Sequence, residues 1–82
     1  MPTRDPEGLQ ALRRLGHAVA KRRITSGKSQ DDVAETSGLS DRFLRALERG
    51  NGNPSYLTLR AIARALGTNA AALIQEAEAA GG

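Results

Sequence analysis

Three arginines at spacings of three and four, Arg42, Arg45 and Arg49, follow directly on Ser40 and Asp41. Those intervals place all three on one side of a helix. Leu44 and Leu47 form the opposite, apolar side. An arginine fork matches the O6 and N7 acceptors of guanine, a pairing worth about 1–3 kcal/mol of discrimination against the wrong base. A short rigid helix with an arginine-rich outer face, braced by a second helix, is what a major groove accepts. Sequence-specific binding of double-stranded DNA is therefore the leading expectation.

The elements that must position these residues are legible from caps and breakers. Ser29 and Ser40 each stand where a helix start needs a side-chain acceptor. Ser29 followed three residues later by Asp32 resembles a capping box with a shortened acid. Val33 and Ala34 face inward, Gly38 makes the turn, and Leu39 plugs the core before the third helix opens. Before this pair, Leu12, Leu15, Val19 and Arg23 recur at helical spacing, with Ala20 and Ile24 beside them, which predicts a first helix over residues 9–25. Gly27 suits a left-handed cap. Gly50, Asn51, Gly52, Asn53 and Pro54 must be a loop. Ser55 caps a fourth helix carrying Leu59, Ile62, Ala63 and Leu66 on one stripe. Gly67 ends it, and Thr68 or Asn69 caps a fifth, with Leu73, Ile74 and Ala77 aligned. The pattern predicts an all-α bundle of five helices. One domain over residues 9–80 is expected, preceded by a flexible arm at 1–8, with Gly81 and Gly82 expected to fray.

Composition narrows the partners. At 82 residues, without a cysteine and with a single histidine, His17, the chain offers no disulfide, no thiolate metal site and no room for a deep cleft. Neither metal nor cofactor is expected. No nucleophile–base pair or phosphate-cradling glycine motif is visible, so the protein is not expected to be an enzyme. No apolar run approaches the about 18 residues of a membrane span, and the start is polar and turn-prone, so a cytoplasmic protein is expected. The formal net charge is +3, and residues 13–64 hold eleven Lys or Arg against five acids. The tail adds only Glu76 and Glu78 beyond that span. A cationic body fits a polyanionic partner.

In register, Arg23, Ser29 and Gln30, Val33 and Ala34, Gly38 to Ser40, Leu44, Leu47 to Gly50, Asn53 to Ser55, Leu57, Leu59 and Ala63 to Gly67 resemble the Cro/C1-type helix-turn-helix domains, the XRE family. The resemblance covers roughly residues 15–74 and is nearest in flavour to restriction–modification controller proteins. It implies a compact bundle of the lambda-repressor-like DNA-binding type, acting as a transcriptional regulator. The expected regulator is a repressor that binds a palindromic operator as a homodimer. It further implies that Gln30 bonds a DNA phosphate, that the loop bearing Asn51 and Asn53 follows the phosphate backbone, and that Arg23 and Glu48 form a structural ion pair.

Two departures from the family pattern bear on base preference. Lys28 replaces an apolar residue before Ser29, and Asp41 and Arg42 replace the usual amides. The expected DNA-binding set is Lys28, Gln30, Ser40, Asp41, Arg42, Arg45, Arg49, Asn51 and Asn53. Asp41 is expected chiefly to orient Arg45 four residues on, with a cytosine amino group as its other target. Phe43 is expected to pack at the domain edge. Leu73, Ile74 and Ala77 are the expected dimer surface unless they close the monomer core. The competing reading is an antitoxin that binds a toxin protein and represses its own operon.

Overall fold

In the computed structural model, residues 5–80 are described and form five α-helices. They are α1 (Pro6–Thr25), α2 (Gln30–Ser37), α3 (Asp41–Glu48), α4 (Tyr56–Ala65) and α5 (Ala70–Ala80). Residues 1–4 of the expected arm, and Gly81 and Gly82, lie outside the described residues. In the rest of that arm, Asp5 is the N-cap and residues 6–8 are helical. Asp5 accepts a hydrogen bond from the Gly8 amide, and Pro6 supplies a preset φ where a missing N–H costs nothing, so α1 begins three residues before the periodic pattern does.

The other starts follow their caps. Ser40 accepts from the Phe43 amide at 3.1 Å, Ser55 from the Thr58 amide at 3.1 Å, and Asn69, rather than Thr68, from the Ala72 amide at 2.8 Å. Ser29 and Asp32 make the reciprocal capping box in full, at 3.0 and 2.9 Å. Gly38, at φ 75°, turns the chain out of α2 in a conformation that a side chain disfavours. Three residues, 38–40, separate α2 from α3.

The core is aliphatic. Val19, Val33, Leu44, Leu47, Ile62 and Leu73 are fully buried, with one or more from each helix, and Leu15, Leu39 and Phe43 pack partly against them. α1 packs on α3 and α5, α2 on α3 and α4, and α4 on α5. Ile24, expected beside the apolar stripe of α1, is 65% exposed, whereas its neighbours Arg22 and Arg23 reach α5 and α3. On α5 the stripe is spent inside the chain. Leu73 is wholly buried and Ala77 nearly so, which removes both from any dimer surface and leaves Ile74, 45% exposed. An ion pair of Arg22 with Glu76 ties α1 to α5 beside them. Among the described residues, no helix is long and apolar enough to cross a membrane.

Gly16 fixes how closely α1 meets the second helical pair. A Cβ there would overlap the backbone carbonyl oxygen of Leu47 and come to 3.0 Å from that of Glu48. The absence of a side chain at position 16 therefore lets α1 rest directly on the C-terminal turn of α3.

Candidate nucleic-acid interface

Burial splits α3 as its sequence predicts. Leu44 and Leu47 lock it onto the core, while Asp41, Arg42, Arg45 and Arg49 are exposed. The helix is thus held from behind by about 2–5 kcal/mol per leucine, judged by what truncating such residues to alanine costs. Its outer face presents three guanidiniums. The Ser40 hydroxyl oxygen caps the helix by accepting from the Phe43 amide, which leaves its own hydrogen free to donate. Asn51 and Asn53 are exposed in the following loop, and the Asn51 amide bonds the Ala46 carbonyl at 2.8 Å, closing the end of α3.

Behind this face lies a polar clasp. Arg23 Nε donates to Glu48 Oε2 at 2.7 Å and Arg23 Nη2 to Oε1 at 3.0 Å, so the pair expected from the resemblance is a two-pronged bridge from α1 to α3. Their side chains are 14% and 7% exposed. The hydrogen bonds to Glu48 raise the Arg23 pKa against the opposing effect of burial. Arg23 Nη1 also holds the Lys28 carbonyl at 2.9 Å, and Gln30 Nε2 donates to Glu48 Oε1 at 2.9 Å. One carboxylate thereby joins α1, α2 and α3. The contact to Gln30 was not legible in the sequence, because nothing local links positions 30 and 48. It leaves one amide hydrogen of Gln30 uncommitted.

Lys28 is bonded to α4. Its ammonium donates to the Ala65 carbonyl at 2.7 Å, at the C-terminal end of α4. Carbonyls in a last helical turn lack intrahelical partners and carry the negative end of the helix dipole, so a cation is well placed there. The expected phosphate contact would have to use the remaining donors of this ammonium, since one is taken by α4.

Asp41 has a second charged neighbour besides Arg45. Arg45 Nη2 lies 3.9 Å from Asp31 Oδ1 on α2, so Arg45 pairs across the turn. Asp41 has its pKa raised by a hydrogen bond to the Asp31 carboxylate, by desolvation and by the charge of Asp31, with Arg45 opposing. Asp31, absent from the expected set, is thus part of the exposed surface of the helix pair. Asp32 beside it turns the other way, its pKa lowered by the hydrogen bonds at the Ser29 cap.

Two helices joined by a three-residue turn, the second pinned by leucines and showing arginines outward, define a helix-turn-helix DNA-binding domain. A family model described as Helix-turn-helix matches residues 19–73. The chain belongs to that family, in its XRE-type branch, whose members are DNA-binding transcriptional regulators. It is 39% identical over 60 residues, 73% of its length and 78% of the relative's, to the uncharacterized HTH-type transcriptional regulator y4dJ of Sinorhizobium fredii. It is also similar to the clp gene regulator ClgR of Corynebacterium glutamicum, with TM-score 0.82 and 31% identity over 85% of this chain and 74% of that one. A third likeness is to the restriction-modification controller protein C.AhdI of Aeromonas hydrophila, with TM-score 0.74 and 31% identity over 76% of this chain and 94% of that one.

Proposed function

We propose that this regulator is a repressor that binds a palindromic operator as a two-fold dimer in the cytoplasm, in the manner of a restriction–modification controller. The observation that carries the reading is the exposed arginine face of α3, held rigid by Leu44 and Leu47. In this reading α3 enters the major groove, and Arg42 and Arg45 meet base edges. Asp41 sets the environment of Arg45. Gln30, Ser40, Arg49, Asn51 and Asn53 face the phosphates, Gln30 through its second amide hydrogen.

An eight-residue reading helix spans too few base pairs for a unique genomic address. A second copy on a two-fold axis doubles the site, with half-sites about 34–36 Å apart. The surface left for that contact is Ile74 with Tyr56, which line one shallow groove between α5 and α4. Tyr56 is 65% exposed, and Arg60 stands over its ring at 5.7 Å. The similarity to C.AhdI, which reaches 94% of that chain, supports the controller-like form. The relatives are regulators of transcription and lend the antitoxin reading no support.

Selection of bound duplexes from random DNA tests the proposal. A palindrome with half-sites one helical turn apart is the expected result, and transcription from a promoter bearing it should fall when the protein is added. Asymmetric single half-sites would refute the dimer, and increased transcription would refute repression.

A further inference from the structure

We propose that Asp31, on α2, is a positioning residue that sets the DNA specificity of α3 by cancelling the charge, but not the hydrogen-bonding capacity, of Arg45. The inference rests on the DNA-reading role of α3.

The geometry separates the two properties. Asp31 Oδ1 is 3.9 Å from Arg45 Nη2, inside ion-pair range but beyond hydrogen-bond length. Arg45 therefore keeps its N–H donors free for a base edge while its charge is compensated. Both side chains stay open to partners, at 52% exposure for Arg45 and 72% for Asp31. Asp41 adds a second carboxylate to the same spot, close enough to Asp31 to interact with it. The exposed surface where α2 meets α3 thus carries Arg42 and Arg45 against Asp41 and Asp31, with no net formal charge.

The consequence concerns discrimination more than affinity. Binding to arbitrary DNA comes almost wholly from cations meeting phosphates. A face of zero net charge gains little from phosphates, wherever it lands. A guanine edge is uncharged and still receives the arginine fork, so the correct site retains its contact. Specificity is a difference of two affinities, and an element that weakens the wrong complex raises it as surely as one that strengthens the right complex. Acid should relax the device. The charged groups facing Asp31 are Asp41 and Arg45 of α3, while Asp32, its neighbour on α2, is turned to the Ser29 cap. Asp41, whose pKa is raised, takes up its proton before the ordinary surface carboxylates do.

The test uses the whole chain, the duplex selected from random DNA and a scrambled duplex of equal length. Asp31→Asn should tighten binding to the scrambled duplex by about five- to tenfold and steepen its log-affinity against log-salt slope by about 0.9, the value for one further phosphate neutralised. The selected duplex should gain less, so the ratio of the two affinities falls. Asp31→Glu should restore the ratio. The wild-type ratio should shrink as the pH is lowered from neutrality, while that of Asp31→Asn changes less. A ratio unchanged in Asp31→Asn, or equal gains or losses on both duplexes, overturns the proposal even though the protein reads DNA. A wild-type chain that selects no duplex overturns the DNA reading and this inference with it.

Discussion

Arg42 and Arg45 have the same residue type and similar exposure but different surroundings. Arg42 makes no salt bridge among the described residues, whereas Arg45 is paired with Asp31. Replacing either by alanine should cost the selected duplex about 1–3 kcal/mol and relax the preference at one base pair, measured by titration against single-base variants of the site. Glu48 has a different role. It anchors Arg23 and Gln30 from a largely buried position, so Glu48→Ala leaves a guanidinium without its carboxylate. The expected loss is about 3–5 kcal/mol of unfolding free energy in a denaturant titration. Asp32 controls a pH effect. Its pKa is lowered in the folded chain, so its contribution is present above the unfolded-state value and lost as pH falls through the folded one. Wild type and Asp32→Asn should therefore differ in melting temperature near neutrality and converge in acid.

Among the elements, α2 and α3 behave as one unit because three devices hold them together. The capping box starts α2, Gly38 turns the chain, and the Ser40 cap starts α3. Ser40→Ala should destabilise the domain by about 1 kcal/mol, read from thermal unfolding. α1 supplies the backing. Gly16→Ala inserts a Cβ against the Leu47 carbonyl and should cost about 1–3 kcal/mol while weakening DNA binding, since α3 must shift to admit it. Most of this level was legible. Serine caps, glycine stops and i, i+3, i+4 leucine spacing are local signals, and they located the five helices to within a few residues. The start of α1 was missed because Asp5 and Pro6 lie ahead of the apolar pattern, where only the cap chemistry marks the helix. Gly16 did carry a signal, since a glycine inside a helical run points to a close approach. Its partner could not be named from sequence.

For the whole molecule, the charge distribution and the surface left apolar govern behaviour. A cationic body of this kind should show log affinity for DNA falling linearly with log salt. At the groove of Tyr56 and Ile74, a charge introduced by Ile74→Glu should shift the protein from dimer to monomer in sedimentation and weaken operator binding, while the melting temperature changes little because Ile74 is outside the core. A dimer unaffected by that change would place the two-fold contact elsewhere. Of the stripe expected at a dimer surface, only Ile74 is left exposed. Leu73, Ile74 and Ala77 share a stripe in the sequence, but the packing of α1 and α4 against α5 covers the first and third and leaves the second.

Periodicity, caps and breakers act over a few residues, so the linear chain alone settles the five helices, the aliphatic core and the arginine face of the third helix. Contacts between distant positions depend on how those helices cross. Lys28 closing α4, Gln30 bound to Glu48, Asp31 beside Arg45 and Leu73 spent inside the core all join residues at least 14 apart or on different helices. Side-chain reach across a packed interface has no one-dimensional signature, and only the folded chain brings these groups together.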